Sequence, residues 1–561
     1  MDPLNYKGKS PLREAMEIEQ EEPMPAEKSD IQRKAPYLEY EEYQNRVASL
    51  QELRQLGIDP YPHHYEPTHS LGLVEQTYGG QEVGFSDDAA AGATPFVKVA
   101  GRLLLSRPMG KNIFGHLQQG VDRLQLMFNR DLTEIAGYPR SEDQPLSPHK
   151  LLEKKIDLGD ILGVEGHLFR TQKGELTLFV KQLHLLSKAL LPPADKHAGL
   201  THKETRYRKR WLDLMSHKEV YQLFCRRSQI LAATRRYFET HHFLEVETPV
   251  IQSLYGGAEA RPFTTELHAL KQQMFLRISL ELSLKKLIIG GFDRVFEMGR
   301  VFRNEGIDRN HNPEFTMLEA YAAFWDYKDM MRLVEGLFES VTQTLYGTTM
   351  VEVPHPDGKG TVQLDFKGPW RTMTMKESLR HYAQIDVDGL SDDQMRHKLR
   401  DSGHVDGKKL TELSRGLLIA ALFEVEVEHQ LIQPHHITDH PAETTPLCKP
   451  HRSKEGSSQG LVERFESFIL GNEICNAYTE LNDPLLQRQL LEKQAERREA
   501  GDEEASPLDE EFLEAICQGM PPTGGIGIGM DRMVMLLTKA HSIRDVLLFP
   551  WMKPVDEATT S

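Results

Sequence analysis

The chain has 561 residues, 39% hydrophobic and 27% charged, and its 67 basic and 84 acidic side chains give a net charge of −17. At roughly 100 to 200 residues per domain this length holds about three or four domains, which excludes a disulfide-stapled miniprotein. No apolar run reaches the roughly 18 residues that span a bilayer, and the acidic balance argues against indiscriminate nucleic-acid binding through an overall positive field. The cysteines, Cys225, Cys448, Cys475 and Cys517, form no CxxC pair, so reduced thiols are expected rather than a zinc site or a disulfide framework. The opening MDPLNYKGKSPLREAMEIEQEEP lacks the apolar stretch of a signal peptide and the acid-poor character of a transit peptide. A cytoplasmic protein is expected.

Residues 1–36 mix Pro, Glu, Lys and Met without period and are expected to form a mobile tail. In the segment 37–94, Tyr37 to Ile58 spaces apolar groups at helical intervals before Pro60, predicting one amphipathic helix. Over 95–187 the pattern changes to short alternating runs, FVKVAGRLLL, LQLMF, DILGVEGHLF and ELTLFVKQLHLL, separated by glycine turns. About five strands in under about 100 residues predict an all-β barrel of the OB-fold kind, whose exposed face commonly binds single-stranded nucleic acid. Phe114 and His116 on such a strand face either that groove or the core, core packing being the commoner outcome. Residues 137–150, with three prolines, read as a loop insertion.

The segment 188–210 is a linker, Leu191-Pro192-Pro193-Ala194-Asp195, followed by a basic cluster from His202 to Arg210. That cluster reads either as a solvated helix start or as a phosphate-contacting surface. From 211 to 554, VYQLFCRRSQILAATRRYFETHHF has helical spacing, whereas LEVETPVI, RVFEMGRVFR, FTMLEAYAAF, RFESFIL and EICNAYTEL alternate as strands. An α+β arrangement follows, an antiparallel sheet flanked by helices, with a short tail at 555–561. Neither a P-loop nor a dinucleotide fingerprint occurs, so nucleotide binding requires another architecture.

Three segments in fixed order carry chemistry. They are Phe243-Leu-Glu-Val-Glu-Thr-Pro249, then Phe302-Arg303-Asn304-Glu305-Gly306 through His311-Asn312-Pro313-Glu314-Phe315, then Gly525-Ile-Gly527-Ile-Gly529-Met-Asp531-Arg532. Singly, the glycine series reads as tight strand-to-helix packing and the Arg-Asn-Glu triplet as a surface ion pair. As an ordered trio behind a barrel they resemble the three signature motifs of class II aminoacyl-tRNA synthetases. Amino-acid activation brings a carboxylate against the α-phosphorus of ATP, so fixed cations must offset the repulsion, and guanidinium groups stay charged when desolvated. The resemblance implies that Arg303 is the principal catalytic group, and that Arg532 approaches the γ-phosphate and stacks over adenine. It further implies ATP contacts from Glu305, His311, Asn312 and Phe315, and Mg2+ on Glu466 and Glu473. Spacing alone reads those two carboxylates as an exposed pair on adjacent strands or on one bent strand.

Arg277 to Gly291, His440 to Pro446 and Asn476 to Asp483 look most like the lysyl-tRNA synthetases of this class, a resemblance covering about residues 37–554. It implies that Glu480 and Tyr321 hold the ε-ammonium of L-lysine, with Tyr478 along the methylenes and Asn476 in the pocket wall. Glu281, Glu319 and the backbone at Gly257 would take the α-ammonium. The chemistry is consistent, because a buried ammonium requires carboxylates. Tyr478 departs from the phenylalanine of many relatives. In the barrel, Arg107, Phe114, Gln125 and Glu175 match positions that read a U-rich anticodon. Implied partners are ATP, lysine, tRNA(Lys) and, through the motif ending at Pro249, a second copy of the chain in a homodimer, with no membrane. The acidic total would confine tRNA to positive tracts such as Arg206 to Arg210. Two rival readings are a lysine-activating relative that modifies a protein, which typically lacks the barrel, and a nonenzymatic RNA-binding protein retaining the fold. Intact Arg303, Glu466, Glu473 and Arg532 argue against the latter.

Overall fold

The computed structural model describes residues 35–193, 200–402 and 410–553, in two compact units comprising residues 1–195 and 196–561. The tail expected over 1–36 lies outside the described residues as far as residue 34, as do Ala194 and Asp195 of the linker and the C-terminal tail.

In the first unit a 3-10 turn at Pro36–Glu39 leads into a helix at Glu41–Gln55, so the single helix predicted from Tyr37 begins its regular turns four residues later. Leu53 and Ile58 join the barrel core. The strands are β1 (Phe96–Met109), β2 (Asn112–Gln119), β3 (Asp122–Asn129), β4 (Glu134–Ile135), β5 (Ile161–Arg170) and β6 (Leu176–Ser187). They run in the order β3-β2-β1-β5-β6, and a parallel pairing of β3 with β6 closes the barrel, while β4 adds to the far side of β6. Strand alternation sends Ile113 and Leu117 of β2 inward with Val97, Val99, Leu126, Leu162 and Leu178. The same alternation turns Phe114 and His116 outward, so the core packing expected for them does not occur. The segment read as a loop insertion is partly structural. Tyr138 is fully buried and donates its hydroxyl to the Leu146 carbonyl at 2.7 Å. Ser147 caps a helix at Pro148–Lys155 that buries Leu151 and Leu152.

In the second unit the helix Lys218–Thr240 forms as its spacing predicts. LEVETPVI does not form one strand. Only β7 (Leu244–Glu245) and β8 (Ile251–Gln252) are regular, because Pro249 supplies no N–H and Thr248 is anchored sideways. The Thr248 N–H and hydroxyl both donate to Glu297 Oε2, at 2.9 and 2.7 Å. β8 joins β9 (Thr264–Leu267) and β10 (Gln272–Leu276) in a small separate sheet.

The main sheet uses β11 (Arg294–Phe302), β12 (Glu314–Ala323), β15 (Arg371–Thr374), β16 (His435–Pro441), β17 (Leu461–Ile469), β18 (Asn472–Thr479) and β19 (Thr523–Gly529) together with β7. Their order is β15-β16-β17-β18-β19-β12-β11-β7, antiparallel throughout except for the parallel pairs at the two ends; β13 (Met350–Pro354) and β14 (Thr361–Asp365) form a hairpin apart from it. Along β12, Leu318, Ala320 and Ala322 pack with Ile526 and Ile528 of β19 against the helices Lys218–Thr240, Tyr327–Tyr346 and Met530–Thr538. Alternation therefore leaves Phe315, Met317, Glu319 and Tyr321, with Gly525, Gly527 and Gly529, on the opposite face. That face carries the site.

The basic cluster folds inward. Arg210 is buried, with its guanidinium donating to Asp213 at 2.7 Å and to the carbonyls of Arg544, Leu547 and Leu548 at 2.8 to 3.0 Å. Arg206 donates to the other oxygen of Asp213 at 2.7 Å, and Arg208 pairs with Glu204. Two members of the tract expected to meet phosphate are thus engaged as a structural clamp.

Candidate active site

A cavity of about 450 Å³ opens on the free face of the main sheet. A carboxylate and a nucleotide phosphate could meet there only if the wall were low and charged groups stood at both ends. The glycines lower the wall. A Cβ on Gly525 would lie 1.9 Å from Glu480 Oε1 and 2.5 Å from the Tyr321 ring, and one on Gly527 would lie 2.8 Å from the Met317 side chain. Tyr321 and Tyr478 flank Gly525 as its cross-strand partners on β12 and β18, and Glu319 and Asn476 flank Gly527.

The inner end is acidic and buried. Glu319, 3% exposed, accepts from the Ser279 hydroxyl and the Leu280 N–H at 2.9 Å each and from the Tyr321 hydroxyl at 3.1 Å. Burial, reinforced by the charge of Glu281, pushes its carboxyl up to about 7 against those hydrogen bonds. Burial and the three neighbouring carboxylates push the Tyr321 hydroxyl well above its usual range, so it remains a donor. Gly257 adopts a left-handed φ of +84° and brings its backbone against Ser279 and Glu281. Glu281 and Glu480, 3% and 1% exposed, are both pushed upward by burial, Glu480 to about 8, against the pull of a cation that the sequence reading missed, Lys285. Its Nζ lies 2.5 Å from Glu281 Oε1 and 2.5 Å from Glu480 Oε2.

The outer end is cationic. The Arg303 guanidinium lies over the Phe315 ring at 5.3 Å, and its Nε reaches toward the Ile278 carbonyl at 3.4 Å. Arg532, in the helix Met530–Thr538, donates to the Glu473 carbonyl at 2.8 Å, contacts its carboxylate at 3.3 Å, and stands 3.3 Å from His311 Nε2. Asn312 is buried; its amide donates to the Glu314 carbonyl at 2.6 Å while its own oxygen has no partner. Glu305 lies exposed at the rim.

Glu466 and Glu473 sit on adjacent strands, one of the two arrangements the spacing left open. The β17–β18 ladder shifts register between Ser467 and Phe468, which pair with Cys475 and Glu473. This bulge at Ile474 returns Glu473 to the face carrying Glu466. Oxygen donors of this kind suit a hard divalent cation that keeps its waters and meets phosphate. A second missed residue, Arg464, organises this wall. It donates to Glu466 at 2.5 Å, to Asn476 Oδ1 at 3.1 Å and to Thr444 at 2.9 Å, and lies 5.9 Å from the Tyr478 ring. Both missed residues carried a signal: Lys285 follows Glu281 by one helical turn, and Arg464 precedes Glu466 by one strand repeat.

The barrel brings its own candidates together. Arg107 pairs with Phe114 across β1 and β2, and Gln125 of β3 lies opposite His116. Gln125 donates to Glu175 at 2.8 Å and accepts from Thr177 at 2.8 Å, while Phe114 rests on an outer cluster of Ala89, Met127, Phe169 and Phe179. The result is one ring beside a fixed row of polar groups, able to stack one base and bond to others.

The family described as tRNA synthetases class II (D, K and N) matches residues 202–553, and the OB-fold nucleic acid binding domain matches residues 97–186. A lysine–tRNA ligase of Chlamydia pneumoniae is 53% identical over 529 residues, 94% of this chain and 99% of the relative. Those of Nostoc punctiforme and Methanoculleus marisnigri are 44% and 43% identical over 509 and 508 residues, 91% of this chain in each case and 87% and 94% of the relatives. With the barrel, the glycine-lined sheet face and the two charged ends of one cavity, these matches settle the kinship: the chain belongs to the class II tRNA synthetase family, among its lysine–tRNA ligases.

Proposed function

We propose that this lysine–tRNA ligase activates L-lysine with ATP in the cavity beside Gly525 to Gly529 and passes it to the 3′-end of tRNA(Lys). The observation that carries the reading is the shared cavity itself, with Glu281 and Glu319 lining one end, Glu480 buried against Gly525 beside them, and Arg303 and Arg532 at the other end. The lysine carboxylate attacks the α-phosphorus, pyrophosphate leaves in line, and the mixed anhydride is then opened by a tRNA hydroxyl with release of AMP. Arg303 bridges the two anions as they approach, and its stacking on Phe315 fixes the plane of the fork. Arg532 and His311 take the terminal phosphates, and Glu305 and Asn312 bound the nucleotide. Glu480 and Tyr321 take the ε-ammonium, Tyr478 the methylenes, Asn476 the wall, and Glu281, Glu319 and the Gly257 backbone the α-ammonium.

Glu466 and Glu473 would hold Mg2+, which when bound neutralises charge on the ATP phosphates. Arg464 and Arg532 keep those carboxylates aimed into the cavity. Arg107, Phe114, Gln125 and Glu175 read the anticodon. Leu244, Val250, Ile251 and Leu254 around Pro249 are exposed apolar groups, which supports a homodimer formed there. Among the described residues no helix is long and apolar enough to cross a membrane. The four cysteines are free thiols, which supports a reducing, cytoplasmic setting.

The test is amino-acid-dependent exchange of pyrophosphate into ATP across the twenty amino acids, followed by charging of purified tRNA. Exchange with lysine and subsequent charging are expected. Exchange without charging would favour transfer to another acceptor, and no exchange with lysine would sink the assignment.

A further inference from the structure

Lys285 is a lysine buried behind a pocket for lysine. Its side chain has no exposed surface, and it sits on the helix Glu281–Ile289 one turn beyond Glu281. The groups facing it are Glu281 on its own helix, Glu480 at the end of β18, Cys448, which bridges to Glu480, and the Phe512 ring at 6.0 Å. Its ammonium is held firmly charged: burial opposes the charge, and the two carboxylates outweigh burial.

The geometry of Glu480 shows what this arrangement leaves over. One oxygen is in ion contact with Lys285, and neither oxygen has an aligned hydrogen-bond donor. Oε1 points toward Gly525 and Tyr321, the side on which a substrate would lie. A carboxylate so buried with a bare oxygen is unfavourable unless a second cation arrives. The charge count agrees. Once a bound ligand has displaced their protons, Glu281, Glu319 and Glu480 carry three negative charges; Lys285 cancels one, and the two that remain equal the α- and ε-ammonium groups of a diamino acid. Without Lys285 the buried carboxylates would hold protons more tightly still, and an incoming ammonium would have to displace them at a greater cost.

We propose that Lys285 is a positioning and specificity-determining residue: one buried ammonium draws Glu281 and Glu480 together, offsets part of the cost of their charge, and sets the pocket charge that two ammonium groups cancel. This rests on the assignment of the pocket to lysine. Lys285→Met and Lys285→Gln remove the charge while keeping most of the volume. In lysine-dependent pyrophosphate exchange at pH 7 both should raise the lysine KM by about tenfold or more, with the ATP KM changed less than about twofold. The defect should shrink between about pH 7 and pH 8.5, because the carboxylates regain their charge as pH rises. A purely structural lysine would instead give a defect independent of pH and shared by ATP, and that result, or an unchanged lysine KM, overturns the proposal. Should neither variant fold, calorimetric titration of lysine into the wild-type enzyme, in buffers of differing ionisation enthalpy, decides the matter. Release of less than about one proton per lysine near pH 8.5 is expected, and release of about two at that pH overturns it. Glu480→Gln separates the two levels. If its lysine KM is unchanged, the pocket assignment itself fails; if it is crippled while Lys285→Met is not, only the role of Lys285 fails.

Discussion

Glu319 binds three donors and still titrates near neutrality, because burial beside Glu281 costs its charged form more than the hydrogen bonds return. Its pKa is raised from 4.5 to about 7, so the folded, empty enzyme favours the protonated form. The stability this contributes is fully present below about pH 4.5 and is lost as pH rises to about 7, a swing of about 3 kcal/mol. Thermal melts of the ligand-free protein should therefore lose stability relative to Glu319→Gln over that window, and parallel curves would refute the burial argument. Lysine affinity has the opposite dependence, since an α-ammonium needs the ionised carboxylate: the lysine KM of the wild type should fall between about pH 6 and pH 8.

At the scale of elements, strand alternation does most of the positioning. It was legible in EICNAYTEL and FTMLEAYAAF, where Asn476 with Tyr478 and Glu319 with Tyr321 stand two apart and so share faces. The bulge at Ile474 was not legible, because an extra residue in a ladder leaves no periodic mark when both flanking pairs stay apolar or polar alike. Nor was the helix Pro148–Lys155 in a segment read as a loop: three prolines suggested breakage, yet Pro148 sits at the first turn, where its missing N–H costs nothing. On β2 the residues alone left groove and core open, and Phe114 faces outward onto a covered aromatic cluster. A base stacked there makes a clean prediction. Phe114→Ala should lower kcat/KM for tRNA charging by about fivefold to a hundredfold while leaving lysine-dependent pyrophosphate exchange unchanged. A loss of exchange as well would point to misfolding rather than to lost stacking.

For the whole molecule, the net charge of −17 makes the placement of its cations decisive. Composition exposed the run from His202 to Arg210 but not its orientation, because Arg206 and Arg210 find Asp213 and the backbone at 544–548, partners more than 300 residues away in the latter case. Arg210→Met would leave Asp213 Oδ2 without its buried partner, Arg206 still holding Oδ1, beside three unpaired carbonyls. Chemical denaturation should show a loss of about 3 to 5 kcal/mol. The salt dependence of tRNA binding should not change, whereas a shallower slope would return Arg210 to the phosphate surface.

The floor that β19 lays beside β12 is bare peptide on this face, glycine standing opposite Tyr321, Glu319 and Met317 in turn. Every substitution at Gly525, Gly527 or Gly529 adds atoms and none can remove any, so drift at these rungs runs in one direction only, toward a shallower trough. A descendant of this enzyme that accepted a bulkier amino acid would have to find the space by trimming the opposite wall.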